Sequence, residues 1–250
     1  LQTGQVVAYE ALARWLVDGV LTLPSQWVPI AESTGDITAI GERVFALAAA
    51  QLARWRRDDR QIHMAVNVSP RQLVTPDLRL AVEAALSQGL PPNSICIEVT
   101  EGIVVVDEAL RELVRLRELG VLIALDDFGT GYSSLAAISR LPVDIVKIDQ
   151  SFTARLGQRD GDALATTVVT LADELGLVVI AEGIETASQA RALADLGCPF
   201  GQGFLFGRAV PGADVDLGAN GGWARELGSL SSGGVGDRRV LRSHSARHLA

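Results

Sequence analysis

The chain has 250 residues, 48% of them hydrophobic and only 5% aromatic, so it can build a sizeable core, mostly from Ala, Val, Leu and Ile. Its formal net charge of −8 argues against a duplex nucleic-acid binder, which needs a basic face. No uncharged apolar run approaches the roughly 18 residues a membrane helix requires, so no membrane span is expected. Cys96 and Cys198 have no CxxC partner and sit in apolar stretches, which reads as two buried small hydrophobes. No signal peptide is visible, and the chain starts at Leu1 rather than Met, so it reads as a piece of a longer protein.

Short β-branched runs alternate with longer stretches of helical spacing. In chain order the predicted strands cover 5–12, 62–68, 95–100, 121–126, 144–148, 177–181 and, less sharply, 200–206. The predicted helices cover 35–57, 71–88, 107–119, 133–140, 162–175 and 186–196. Leu110, Leu113 and Val114, for example, stand at the i, i+3, i+4 spacing of one helix face. Ser69-Pro70-Arg71-Gln72 and Thr186-Ala187-Ser188-Gln189 read as capping boxes, and Gly89, Gly120, Gly176 and Gly197 close helices. Repeated strand–helix units imply parallel strands joined by right-handed crossovers. About seven such units favour a closed, TIM-like (β/α) barrel, with an open doubly wound sheet as the alternative. From Gly212 the composition turns to Gly, Ser and Asn, followed by Arg238, Arg239, Arg242 and Arg247. This predicts a barrel over 1–211 and a flexible tail over 212–250.

Polar residues recur at one end of the strands. Glu10 comes late in the first, Asn67 near the end of the second, and Glu98 and Glu101 at the end of the third. Asp126 and Asp127 end the fourth, Lys147 and Asp149 the fifth, Glu182 and Glu185 follow the sixth, and Gln202 lies near the last. Carboxylates and amides are poor strand residues and costly to bury unpaired. A single one after a strand is usually a cap or turn former; recurrence on six strands points instead to the C-terminal face of a barrel, where all strands converge. Several carboxylates and an Asn, all oxygen donors, suit a hard divalent cation such as Mg²⁺ or Mn²⁺ better than Zn²⁺. His63, on the second strand, reads as a packed or surface histidine. Asp126 and Asp127 are neighbours on a strand, so both can reach one site only where the strand turns. The Gly-rich segment from Phe128 to Ser134 supplies that turn. Lys147, among so many carboxylates, should stay protonated, which argues against a Schiff-base role.

Taken together these residues resemble a known family. Glu10-Ala11-Leu12-Ala13-Arg14-Trp15, Val66-Asn67-Val68-Ser69 with Gln72, Glu98-Val99-Thr100-Glu101, Asp126-Asp127-Phe128-Gly129-Thr130-Gly131-Tyr132-Ser133-Ser134, Lys147-Ile148-Asp149, Ala181-Glu182-Gly183-Ile184-Glu185-Thr186 and Gly201-Gln202-Gly203-Phe204 match, in order, the EAL-type cyclic di-GMP phosphodiesterase domain. The resemblance covers about residues 4–211. It implies a barrel with one antiparallel strand, and hydrolysis of cyclic di-GMP to linear pGpG with two Mg²⁺ or Mn²⁺ ions. It implies Glu10, Asn67, Glu98 and Asp126 as ligands of one ion, and Asp126, Asp127 and Glu182 as ligands of the second. Lys147 and Asp149 would orient the attacking water, with Glu10 and Glu182 also in the catalytic set. Leu12, Arg14 and Gln202 would contact substrate, Glu101 would anchor the loop after Asp127, and Glu185 would support the ligands from behind. A cytoplasmic enzyme is implied, attached in the full-length protein to upstream sensory or GGDEF domains, with membrane anchoring of the full-length protein left open and a homodimer as a further expectation. The family's additional strand and Gln-Pro-rich segment before residue 4 are absent here, and Arg208-Ala209 stands where the family often has a basic residue followed by Pro.

Two other readings of the same residues stay open at this level. One is a catalytically inactive domain that binds cyclic di-GMP or a protein partner. The other is an unrelated barrel enzyme working through Lys147.

Overall fold

The computed structural model describes residues 1–58, 61–129, 138 and 141–217. Its strands are β1 (Ala8–Ala11), β2 (Trp15–Val17), β3 (Val20–Thr22), β4 (His63–Asn67), β5 (Ile95–Thr100), β6 (Leu122–Phe128), β7 (Ile145–Ile148), β8 (Val178–Ala181) and β9 (Phe200–Gly201). Its α-helices are α1 (Pro24–Thr34), α2 (Ile37–Trp55), α3 (Asp77–Ser87), α4 (Asp107–Glu118), α5 (Gln150–Thr153), α6 (Arg159–Glu174) and α7 (Ala187–Asp195). Seven strands form one parallel sheet in the order β1-β4-β5-β6-β7-β8-β9, so each neighbour pair is joined by a helical crossover or loop in sequence order. The antiparallel pairing among the described residues is a separate hairpin, β2 with β3.

The sheet is curled. β1 and β9 are its two edges, yet Gln202, one residue past β9, donates to Glu10 on β1 at 2.5 Å. At the opposite end of these edges the Leu1 amine donates to the Pro199 carbonyl at 2.6 Å. Strand periodicity then divides the side chains into two sets. One set points inward: Ala65, Cys96, Ala124, Ile145 and Ile180 pack together as a small apolar plug. The other set, including Val66, Ile97, Ile123, Leu125, Val146 and Val179, faces the helices and merges with Phe45 and Leu52 of α2, Val82 of α3, Leu113 and Leu116 of α4 and Leu193 of α7. Strands covered on both faces explain the near-continuous apolar runs that the sequence shows.

Differences from the sequence reading have local causes. The β2–β3 hairpin and α1 were not predicted. The hairpin turns on Asp18-Gly19, both with positive φ, 49° and 79°, the two-residue turn that matches strand twist. The predicted helix over 71–88 is broken: a 3₁₀ turn over Pro70–Val74 ends at Thr75, which is extended (φ −121°, ψ 158°) because it precedes Pro76. The short helix α5 was not predicted either. Both predicted capping boxes are present, Ser69 with Gln72 and Thr186 with Gln189, and Cys96 and Cys198 are buried free thiols. The predicted helix over 133–140 lies outside the described residues apart from Ile138. So does the tail beyond residue 217, although Val215 and Leu217 still pack on the main core. No helix among the described residues is long and apolar enough to cross a membrane.

Candidate functional site

Parallel register delivers one polar side chain after another to the same end of the sheet. Glu10 pairs with Ala65, which puts Asn67 one inward step further along β4. Asn67 pairs with Glu98, and Glu98 with Ala124, so Asp126 lies one inward step beyond. Lys147 on β7 pairs with Ile180 on β8, and Glu182 follows by the same step. The polar ring therefore sits directly above the apolar plug.

Lys147 is the centre of this ring and is 1% exposed. Its Nζ lies 2.7 Å from Glu182 Oε1, 3.0 Å from Glu98 Oε1, 3.0 Å from Asp126 Oδ1 and 3.7 Å from Glu10 Oε2. Glu10 is held twice more: Asn67 Nδ2 donates to its Oε1 and Gln202 Nε2 to its Oε2, both at 2.5 Å. Four carboxylates thus share one ammonium, a net formal charge of −3 in a largely buried setting. Burial opposes the charge on Lys147, but Glu98, Glu10, Glu182 and Asp126 outweigh it and hold the ammonium well above its ordinary range. The lysine stays a cation, as the sequence reading expected. The carboxylates are not fully compensated. Burial pushes Glu98 up to about 8 against the pull of Lys147, with Glu10 and Asp126 adding to the rise. Burial likewise raises Glu182, and raises Asp127, which Asp126 and Asp149 push further.

Asp126 and Asp127 reach the same side by a device other than a strand end. The pairing of β6 with β7 slips between Leu125 and Phe128, and Asp127 adopts the left-handed region at φ 54°. Such a φ is uncommon for a residue other than Gly and marks a position held by its surroundings. One oxygen each from Asp126, Asp127 and Glu182 then lie within 4.8 Å of one another. Buried Glu98 Oε2 has no hydrogen-bond partner among the described residues. Surplus negative charge, an orphaned carboxylate oxygen and an all-oxygen donor set fit a hard divalent cation. The ring is graded in depth: Lys147 and Glu98 are buried at its floor, while Asn67 and Asp127 are exposed at its mouth.

Other predicted residues take up distinct places. Asp149 is buried directly after β7, where its Oδ1 accepts from Ser151 N at 2.9 Å. Glu101 Oε1 accepts from Gly129 N at 3.3 Å, at the foot of the segment that follows Asp127. Leu12 and Arg14 are exposed beyond β1, with the Arg14 guanidinium on the Ala13 carbonyl at 2.8 Å. Glu185 is exposed, and its backbone amide donates to Gln189 Oε1 at 3.0 Å; its carboxylate is not among those gathered at Lys147. His63 is away from the ring, its Nδ1 2.8 Å from the Asn93 carbonyl. The sequence reading missed that Gln189, beyond capping α7, also donates to the Thr153 carbonyl at 3.2 Å and so ties α7 to α5. Its place in a capping box was the available signal.

Residues 1–209 match the family model of the EAL domain. The chain is 40% identical over 215 residues to the bifunctional diguanylate cyclase/cyclic di-GMP phosphodiesterase MucR of Pseudomonas aeruginosa, covering 83% of this chain and 31% of that protein. It is 37% identical over 215 residues to the cyclic di-GMP phosphodiesterase PA2567 of the same organism, covering 84% of this chain and 37% of that protein. Among solved structures, that of the PaMucR phosphodiesterase in complex with c-di-GMP superposes with a TM-score of 0.77 at 39% identity, covering 84% of this chain and 87% of the other. The chain belongs to the EAL-domain family. It spans about a third of the length of these curated relatives.

Proposed function

We propose that the chain is a metal-dependent phosphodiesterase that hydrolyses cyclic di-GMP to linear pGpG. The observation that carries this reading is the ring itself, in which four carboxylates from β1, β5, β6 and the end of β8 surround Lys147 with charge to spare. Two EAL relatives named as cyclic di-GMP phosphodiesterases, and a solved relative in complex with c-di-GMP, support the choice of substrate.

In this reading Glu10, Asn67, Glu98 and Asp126 would hold one Mg²⁺ or Mn²⁺, and Asp126, Asp127 and Glu182 would hold a second. When bound, the ions supply positive charge against the phosphodiester and make a water more acidic. The residues of the chain do the rest. Asn67 and Gln202 fix both oxygens of Glu10, so its carboxylate has one orientation. Lys147, permanently charged, orients the attacking water as a donor and does not take its proton. Asp149, pinned by the Ser151 amide, orients the same water from the other side of its hydrogen-bonding capacity. Water oxygen joins phosphorus and gives up one proton to solvent, the bond from phosphorus to the 3′ oxygen breaks, and that oxygen takes a proton back from solvent, so the product keeps a 5′ phosphate and gains a 3′ hydroxyl. Leu12, Arg14 and Gln202 contact the dinucleotide at the mouth, Glu101 steadies the segment after Asp127, and Glu185 supports the ring indirectly. The unit that does this is the span 1–211, with 212–250 as an appended tail, working in the cytoplasm beside further domains of the whole protein.

The test is direct. Purified protein with Mn²⁺ or Mg²⁺ converts cyclic di-GMP to pGpG, chelation stops it, and Glu10→Ala lowers turnover by more than about 100-fold. Tight binding of cyclic di-GMP with no product under these conditions would instead establish a receptor. Unchanged turnover in Glu10→Ala would overturn the ligand assignment.

A further inference from the structure

The short helix α5 lies between two of the segments that carry the proposed metal ligands. It begins directly after Asp149, whose side chain caps it. Gly129 comes two residues after Asp127 and has φ +100°. A β-carbon placed there would overlap the tip of the Phe152 ring, so that ring lies close against the Gly129 backbone. Gly183 comes directly after Glu182 and has φ +66°. A β-carbon placed there would overlap Gln150 Cβ and lie 3.0 Å from Gln150 Cα. At its far end α5 is held by Gln189, whose Nε2 donates to the Thr153 carbonyl at 3.2 Å while its Oε1 accepts from the amides of Glu185 and Thr186, each at 3.0 Å.

We propose that α5 is a strut that sets the spacing between the carboxylate-bearing ends of β6 and β8, with Phe152 and Gln150 as positioning residues. The inference rests on the phosphodiesterase reading above and deepens it. One contact falls two residues after Asp127 and the other directly after Glu182, two of the three residues whose oxygens converge within 4.8 Å. Sites of this kind work only when donors are held to within about 0.5 Å, which requires packing behind them. Gln150 is exposed, so it brings little buried apolar area, and the effect of its β-carbon on Gly183 is one of position. Phe152 is partly buried and packs against the main core, while the tip of its ring meets the Gly129 backbone, so it links the core to the segment after Asp127.

The experiment measures Mn²⁺ affinity of the full chain by calorimetric titration, beside turnover of cyclic di-GMP and thermal unfolding without metal. Phe152→Ala and Gln150→Gly each weaken Mn²⁺ binding by about 10- to 100-fold, the range seen when groups behind metal ligands are removed. Gln150→Ala keeps the contacting β-carbon and binds Mn²⁺ about tenfold more tightly than Gln150→Gly. A general loss of stability would move the unfolding temperature of both Gln150 variants without separating their affinities, and that result would overturn the proposal. Wild-type affinity in both Phe152→Ala and Gln150→Gly would overturn it equally. If Phe152→Ala does not fold, the Gln150 pair decides alone. A wild-type protein that neither binds Mn²⁺ nor hydrolyses cyclic di-GMP fails at the earlier step and sinks the phosphodiesterase reading, and the strut with it.

Discussion

Lys147 holds together a buried ring of like charges. Its ammonium offsets part of the charge of Glu10, Glu98, Asp126 and Glu182, which would otherwise face one another in a buried ring. Lys147→Met removes the cation and leaves the carboxylates uncompensated. We expect the metal-free variant to lose about 3–5 kcal/mol of stability in urea unfolding, the cost of removing one partner from a buried ionic cluster. Glu98 makes a second case. With its carboxyl pushed up to about 8 by burial, it holds a proton far more readily in the metal-free protein than an ordinary carboxylate does. A cation that uses Glu98 as a ligand must displace that proton, so binding releases protons and tightens as pH rises. Mn²⁺ affinity should therefore climb between about pH 6.5 and about 8.5, with proton release seen by calorimetry in buffers of different ionisation enthalpy. Affinity that does not change over this window would remove Glu98 from the ligand set. Most of this ring was legible in the sequence, because carboxylates and a lysine at strand ends are costly unless they converge. The left-handed Asp127 was not legible, since its φ is imposed by a slip in pairing with β7 that lies far off in sequence.

At the scale of elements, the sequence was clearest where local chemistry decides. The cap of α7 is an example: the Thr186 hydroxyl accepts from Gln189 N, and Gln189 Oε1 accepts from Thr186 N. Thr186→Ala should cost about 1 kcal/mol, read as a lower urea midpoint at unchanged slope. A loss well beyond that would mean that the threonine also carries part of the tie between α7 and α5. The long helices α2, α4 and α6 were visible through their apolar spacing. The hairpin β2–β3 was lost among apolar residues because its strands have only three residues each, too few for alternation to show. The helix α5 escaped for a related reason. Its four residues hold too little periodicity, and what fixes it is contact with Gly129, Gly183 and Gln189 from elsewhere in the chain.

For the whole molecule, the order of strands in the sheet follows the order of the seven strands in the chain, and that is why strand-end residues spread from 10 to 202 could be read as one site. Closure was harder to read, since pattern alone allowed an open sheet. In the structure the sheet curls without strand pairing between β1 and β9 among the described residues, and the side-chain hydrogen bond from Gln202 to Glu10, residues 192 apart, spans its two edges. That bond also sets a timetable for synthesis. Glu10 leaves the ribosome 192 residues ahead of Gln202, which emerges only when nearly the whole sheet has been made. At about 5–20 residues per second the first carboxylate waits on the order of ten seconds or more for its last neighbour. Until then a nascent chain cannot present the completed ring, and partial chains released early would carry its carboxylates without its architecture.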